Sequence, residues 1–190
     1  MKKIILMIII TNFCLLTGLS QTVSVLFSPD TTINGQLFLC NPSSIKTHFG
    51  NIMPLLDKNT DLPDVYILNN TEQQYLRMIF HPGNVINSIS EFEIGLVSDL
   101  SLKVKKNSSS FESFDTEQQI TLGMTKEELL KIKGINYSER IKNDVLSITY
   151  VIDNYNKSPF LKKYNMPIYV AEYWFKDDKL IKYHFGFLYP

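Results

Sequence analysis

The sequence predicts an α+β protein built as two tandem repeats, each a short helix packed on an antiparallel β-sheet. Two observations carry this. First, Leu37–Ile94 and Thr121–Tyr189 share one order of signals, in which a capped helix precedes strand-like segments and a hairpin. Second, the helix cap and the stopping glycine are nine residues apart in both segments, and the hairpin turns are of equal length. The composition agrees with a folded domain: 44% of the 190 residues are hydrophobic, and 19 Lys and Arg balance 19 Asp and Glu. With no basic excess, nucleic acid is not an expected partner.

The order of elements begins with an export signal over residues 1–20. Lys2 and Lys3 precede an apolar stretch from Ile4 to Leu16, and small residues near Ser20 place the cut after that residue. A membrane span needs about 20 apolar residues, more than this run supplies. Cys14 lies inside the apolar core, behind Asn12 and Phe13, so lipidation there is not expected. Cleavage leaves a slightly acidic chain without a stable membrane span, in the periplasm or outside the cell. Its one cysteine, Cys40, cannot form an intramolecular disulfide, so the fold rests on its core. Cys40 itself reads as a small buried hydrophobe.

The first repeat, residues 21–98, opens its helix at Asn41, an N-cap, with Pro42 at the first helical position and Gly50 as the stop. A strand over Val65–Leu68 follows, then a hairpin of Tyr75–Phe80, the turn His81-Pro82-Gly83-Asn84, and Val85–Ile94. Residues 99–119 are polar around Lys105-Lys106-Asn107-Ser108-Ser109-Ser110 and read as a linker, in which Phe111 and Phe114 are able to dock. The second repeat, residues 120–190, opens with a capping box of Thr125 and Glu128 and stops at Gly134. Leu146–Ile152 is rich in β-branched residues and reads as a strand. The hairpin follows: Val170–Phe175, the turn Lys176-Asp177-Asp178-Lys179, and Leu180–Tyr189. The alternative to a duplication is chance agreement between two generic helix-and-hairpin segments, and the equal spacings favour the duplication.

Gly123-Met124-Thr125-Lys126-Glu127-Glu128-Leu129, the later Gly134, an aromatic strand, and Phe175-Lys176-Asp177-Asp178-Lys179-Leu180 resemble the repeat of the β-lactamase inhibitor protein and the BamE (SmpA) lipoprotein group. The resemblance covers about Ile120–Phe187 and reaches the first half only through the internal repeat. Ile135-Asn136 stands where the family usually has a proline, and there is no lipobox cysteine. The resemblance implies a short helical element on an antiparallel sheet and a role in binding other proteins rather than catalysis.

In the last strand, alternation puts Ile181, Tyr183, Phe185, Phe187 and Tyr189 on the expected core face, and Lys182, His184, Gly186 and Leu188 on the other. Large side chains remain on both faces of the paired strand. Tyr173, Trp174, His184 and Leu188 are therefore the candidates for a protein-binding surface, because aromatics concentrate in interfaces. Replacing Tyr173 or Trp174 by alanine is expected to leave the fold intact. The alternative is that the two halves pack on each other through this surface.

No catalytic, cofactor-binding or metal residues are expected. His48, His81 and His184 lack the spacing of zinc ligands, no nucleophile motif occurs, and Asp177-Asp178 is better explained as a turn than as a calcium loop. The sequons at Asn69, Asn107 and Asn136 are incidental beside a bacterial-type signal. The expectation is an exported, non-catalytic module of inhibitor or protection type, binding another envelope or extracellular protein. The alternatives are an envelope-assembly component, a carrier of a small apolar ligand, or an enzyme with an unrecognised site.

Overall fold

Local capping chemistry sets the helices in the computed structural model, which describes residues 27–52, 55, 62–81, 89–100 and 106–188. In α1 (Pro42–Phe49) Asn41 Oδ1 accepts from the Ser44 N–H at 3.3 Å, and Gly50, at φ 65°, closes the helix by donating to the Lys46 carbonyl. In α2 (Lys126–Lys133) both halves of the capping box form: Thr125 Oγ1 accepts from the Glu128 N–H at 3.3 Å, and Glu128 Oε2 accepts from the Thr125 N–H at 2.7 Å. A third helix, α3 (Pro159–Tyr164), was not expected. It is capped by Ser158, whose Oγ accepts from the Leu161 N–H, and it ends at Asn165 in the left-handed region.

A small ribbon, β1 (Thr32–Ile33) with β2 (Leu37–Phe38), precedes α1. The main sheet has eight strands: β3 (Asp64–Leu68), β4 (Gln74–Phe80), β5 (Ile89–Leu96), β6 (Lys106–Ser108), β7 (Ser138–Lys142), β8 (Val145–Ile152), β9 (Ile168–Lys176) and β10 (Lys179–Leu188). They lie in the order β6-β3-β4-β5-β10-β9-β8-β7, and every pair is antiparallel except β3 with β6. The β9–β10 hairpin is tighter than expected. Its turn is Asp177-Asp178 alone, both at positive φ, the geometry that matches strand twist in two-residue hairpins. Asn143-Asp144 does the same between β7 and β8, a hairpin absent from the sequence reading. The export signal, the 82–84 turn, Val85, Lys105 and Tyr189 lie outside the described residues.

The two halves of the chain meet edge to edge, through β5 and β10, and not face to face. Phe185 pairs with Phe92 and Gly186 with Glu91. A Cβ on Gly186, at φ 154°, would clash with the Ser90 carbonyl oxygen and lie 2.6 Å from Glu91 Cα, so only glycine lets the strands approach here.

One face of the sheet forms the core. Tyr169, Ala171, Tyr173 and Phe175 of β9 and Leu180, Tyr183, Phe185 and Phe187 of β10 are buried there. Ile45 of α1, Leu129 of α2 and Leu161 of α3 join the same cluster, so all three helices pack on this side. α3 lies over its far end, Phe160 stacking on Phe187 at 5.5 Å between ring centroids. The expected alternation on β10 breaks at its start. A bulge between Leu180 and Lys182 turns Leu180 inward in place of Ile181, which lines the opposite face.

Residues 99–119 hold β6 and several anchors. Phe114 is inaccessible and Phe111 packs against the core. The Glu117 carboxylate accepts from the backbone N–H and hydroxyl of both Thr31 and Thr32.

Beneath this segment lies a fully buried ion pair. Lys133 Nζ stands 2.7 Å from Asp30 Oδ2, both side chains inaccessible. Tyr173 donates to Asp30 Oδ2 at 2.9 Å, Gln118 Nε2 donates to Oδ1 at 2.9 Å, and Tyr169 donates to the Asp30 carbonyl at 2.7 Å. Lys133 also donates to the Ser28 carbonyl. Burial pushes the Asp30 carboxyl above its ordinary range and Lys133 below its own, and each partner's charge opposes the other's shift.

Removing one partner strands a buried charge. Lys133→Met is expected to destabilise the protein by about 3–5 kcal/mol, and Asp30→Asn with Lys133→Met by less than the sum of the single changes. Urea unfolding of the four proteins in this cycle measures both, and additive losses would mean the two groups are not coupled.

Candidate functional site

The sheet face opposite the helices carries a polar and aromatic row in register across both halves. Tyr66 pairs with Arg77, Arg77 with Glu93, Glu93 with His184, and His184 with Glu172. Period-2 strand geometry dictates the arrangement, since neighbours of these residues point into the core. Next to it runs a second row, in which Tyr75 pairs with Gly95, Gly95 with Lys182, and Lys182 with Trp174.

The charges near the seam are largely satisfied within the protein. Arg77 Nε donates to Asp64 Oδ2 at 2.6 Å, and its guanidinium carbon lies 5.7 Å from the centre of the Tyr66 ring. Tyr75 donates to Glu93 Oε1 at 2.8 Å. Burial, and after it the Glu93 carboxylate, pushes the Tyr75 phenol far above its ordinary value, so Tyr75 serves as a donor and not as a base. His184 Nε2 and Glu91 Oε2 are 2.7 Å apart.

Trp174 is the half-buried centre of the more open part of this face. Lys182 Nζ lies 4.2 Å from its ring centroid, a cation–π contact. Trp174 and Val145 border two depressions. The larger, about 540 Å³, is lined by Tyr66, Tyr75, Arg77, Leu100, Ile181 and Lys182, and the smaller, about 220 Å³, by Arg140, Lys142, Ser147 and Glu172.

Of the four residues singled out in the sequence, Trp174 and His184 are brought to neighbouring rows of this face. Leu188 is on the same face and exposed, but six residues along β10 from Lys182, about 20 Å away. Tyr173 is on the other face. It is wholly buried, because alternation along β9 turns it towards α2 and its hydroxyl is held by Asp30. Sequence reading passed over Tyr66, Arg77 and Arg140, and placed Lys182 on this face without naming it a candidate. Arg77 was within reach, since it interrupts Leu76-Met78-Phe80 at the alternate positions of β4.

Other reactive groups are dispersed. His48 is on α1, His81 follows β4 and His184 is in β10. Among the described residues no group of three or more His, Cys, Asp and Glu could hold a metal ion. Burial pushes the half-buried Cys40 thiol up to about 11, which leaves it a poor nucleophile at neutral pH. Asp30, Lys133, Tyr169 and Tyr173, all shifted by burial, lie inside the core, whereas Tyr75 borders the larger depression. Among the described residues no helix is long and apolar enough to cross a membrane.

No protein-family model, no curated protein and no solved structure matches this chain.

The two faces of β9 give opposite stability outcomes. Tyr173→Ala is expected to cost about 3–5 kcal/mol, because it opens a core cavity and removes a donor from Asp30. Trp174→Ala is expected to cost no more than about 1–2 kcal/mol, the loss of a half-buried ring and its cation–π contact. Denaturant melts followed by circular dichroism rank the two, and equal losses would place Trp174 in a structural role.

Proposed function

We propose that this chain is an exported, non-catalytic protein-binding module of inhibitor or protection type, working in the bacterial cell envelope or outside it, whose partner docks around Trp174. The observation that carries the reading is the sheet face opposite α1, α2 and α3, with Trp174 between two depressions and cations at its rim. Aromatic anchors set among polar groups are typical of protein interfaces.

The tandem-repeat reading belongs here as well. The sheet order runs β3-β4-β5 and then β10-β9-β8, so the two halves mirror each other about the β5–β10 seam. Each half places an eight-residue helix ahead of these strands. We read this as a duplication, which supports the resemblance to the β-lactamase inhibitor protein and BamE group. Export rests on the charged start and apolar run of residues 1–20.

The rival readings draw less support. A carrier needs an enclosed, mainly apolar pocket, whereas the 540 Å³ depression is open to solvent and edged by Arg77, Glu93 and Lys182. An enzyme should gather perturbed groups in an accessible cleft, whereas Asp30 and Lys133 are sealed in the core and Tyr75, at the larger depression, is nearly inaccessible and bound to Glu93.

The test is affinity capture from envelope and culture-supernatant extracts, with mass spectrometry of what is retained. A partner held by the native protein and lost with Trp174→Ala is expected. Equal retention on both, or none on either, would defeat the reading.

A further inference from the structure

The β7 edge has features that the docking of a partner on the Trp174 face does not use. β7 ends the sheet, and all five of its residues are exposed. Because only Asn143-Asp144 separates it from β8, Lys142 and Val145 flank the turn as a hydrogen-bonded pair, and bonding alternates from there. Ser138, Arg140 and Lys142 thus bond to β8, while the backbone N–H and C=O of Glu139 and Ile141 point away from the sheet, along an edge that no other described strand pairs with.

Side chains divide by face. Arg140 and Lys142 project on the Trp174 side and line the smaller depression with it. Among the described residues neither makes an ion pair. On the helix side, Glu139 is bound to Lys126 at 2.9 Å, while Ile141 is 71% exposed and Ile135, just ahead of the strand, is 83% exposed. Natural edges are commonly blunted by cations; two here repel a basic strand and lose hydration without a counter-charge beside a neutral one. A second copy is disfavoured on the same ground. The antiparallel registers that pair Ile141 with Ile141 or Glu139 of another copy set Arg140 against Lys142 or Arg140.

We propose that the β7 edge takes up an extended acidic segment of the partner as an added strand, with carboxylates opposite Arg140 and Lys142 and an apolar side chain opposite Ile141. The added main chain satisfies the outward groups of Glu139 and Ile141, and the alternation of acidic and apolar residues supplies the selectivity. The proposal rests on the reading that the Trp174 face receives a protein, and it names the chemistry of that protein's contact segment.

The probe is a capped seven-residue peptide alternating glutamate and valine, with lysine replacing glutamate in the control. Amide exchange measured by NMR on the full protein is expected to show protection of Glu139 and Ile141 by the acidic peptide only. Arg140→Glu with Lys142→Glu is expected to weaken that binding by about tenfold or more and to favour the lysine peptide. Ile141→Pro removes an outward N–H and no bond to β8, so it should fold and lose the peptide; if it fails to fold, the charge reversal carries the test. Unchanged Glu139 and Ile141 amides at millimolar peptide, or equal binding of the two peptides, would overturn the proposal. Capture of a native partner that depends on Trp174 would still stand after such a result, so the two failures are distinguishable.

Discussion

The buried pair of Asp30 and Lys133 fixes which side of the sheet is covered. Taking two charges out of water costs several kcal/mol for each ion, and their attraction offsets this only where the remaining polar atoms are also satisfied. Here they are satisfied by Tyr173, Gln118 and the Ser28 carbonyl, which come from β9, the connection between halves and the N-terminal segment. Lys133 is the last residue of α2, so its position also places a cation at the negative end of that helix. A shift of α2 across the sheet would separate the charges without rehydrating them. The pair therefore ties four parts of the chain to one face, the one on which α1, α2 and α3 lie.

The opposite face is shaped by what the strands lack as much as by what they carry. Gly186 permits the β5–β10 seam, and its missing side chain leaves room for Glu91, whose carboxylate then meets His184. Gly95 acts similarly: a Cβ there would come within 2.7 Å of the Tyr75 ring, so glycine lets that ring lie across the strand and reach Glu93. The result is a surface on which large polar and aromatic side chains lie flat. Tyr75 and Glu91 are nearly inaccessible on it, whereas the part nearer β8 leaves Trp174 and Lys182 half exposed.

Features set by neighbours in sequence were legible, and features set across the chain were not. Asn41, Thr125 with Glu128, and the stops at Gly50 and Gly134 announced their helices because capping acts over a single turn. The alternation of Tyr183, Phe185 and Phe187 announced the core face of β10. Ile181 was misplaced because a bulge inserts one residue and flips everything on one side of it, and no residue type marks that event. Tyr173 was misplaced because both faces of β9 carry large side chains, and only Asp30, far away in sequence, decides which one is inside. β7 was missed altogether, since Ser-Glu-Arg-Ile-Lys has almost no β-branched or aromatic content and is a strand only because β8 offers it an edge.

The same physics separates the parts of the surface able to select a partner from those that only shape it. Asp64 already holds Arg77 and Glu91 already contacts His184, so a partner approaching the seam meets groups engaged within the protein. Breaking those contacts would cost more than a new exposed pair returns. Arg140 and Lys142 are in the opposite situation: exposed, close to Trp174 and in no ion pair among the described residues, with Glu172 sharing their depression. For an acidic partner of the kind proposed, attraction over distance would therefore come from the β7 side of the face, and desolvation of Trp174 would supply the close contact beside it. In the complex proposed above, charge would guide the approach and the ring would anchor it, a division of labour suited to an extended protein surface and poorly suited to a small enclosed ligand.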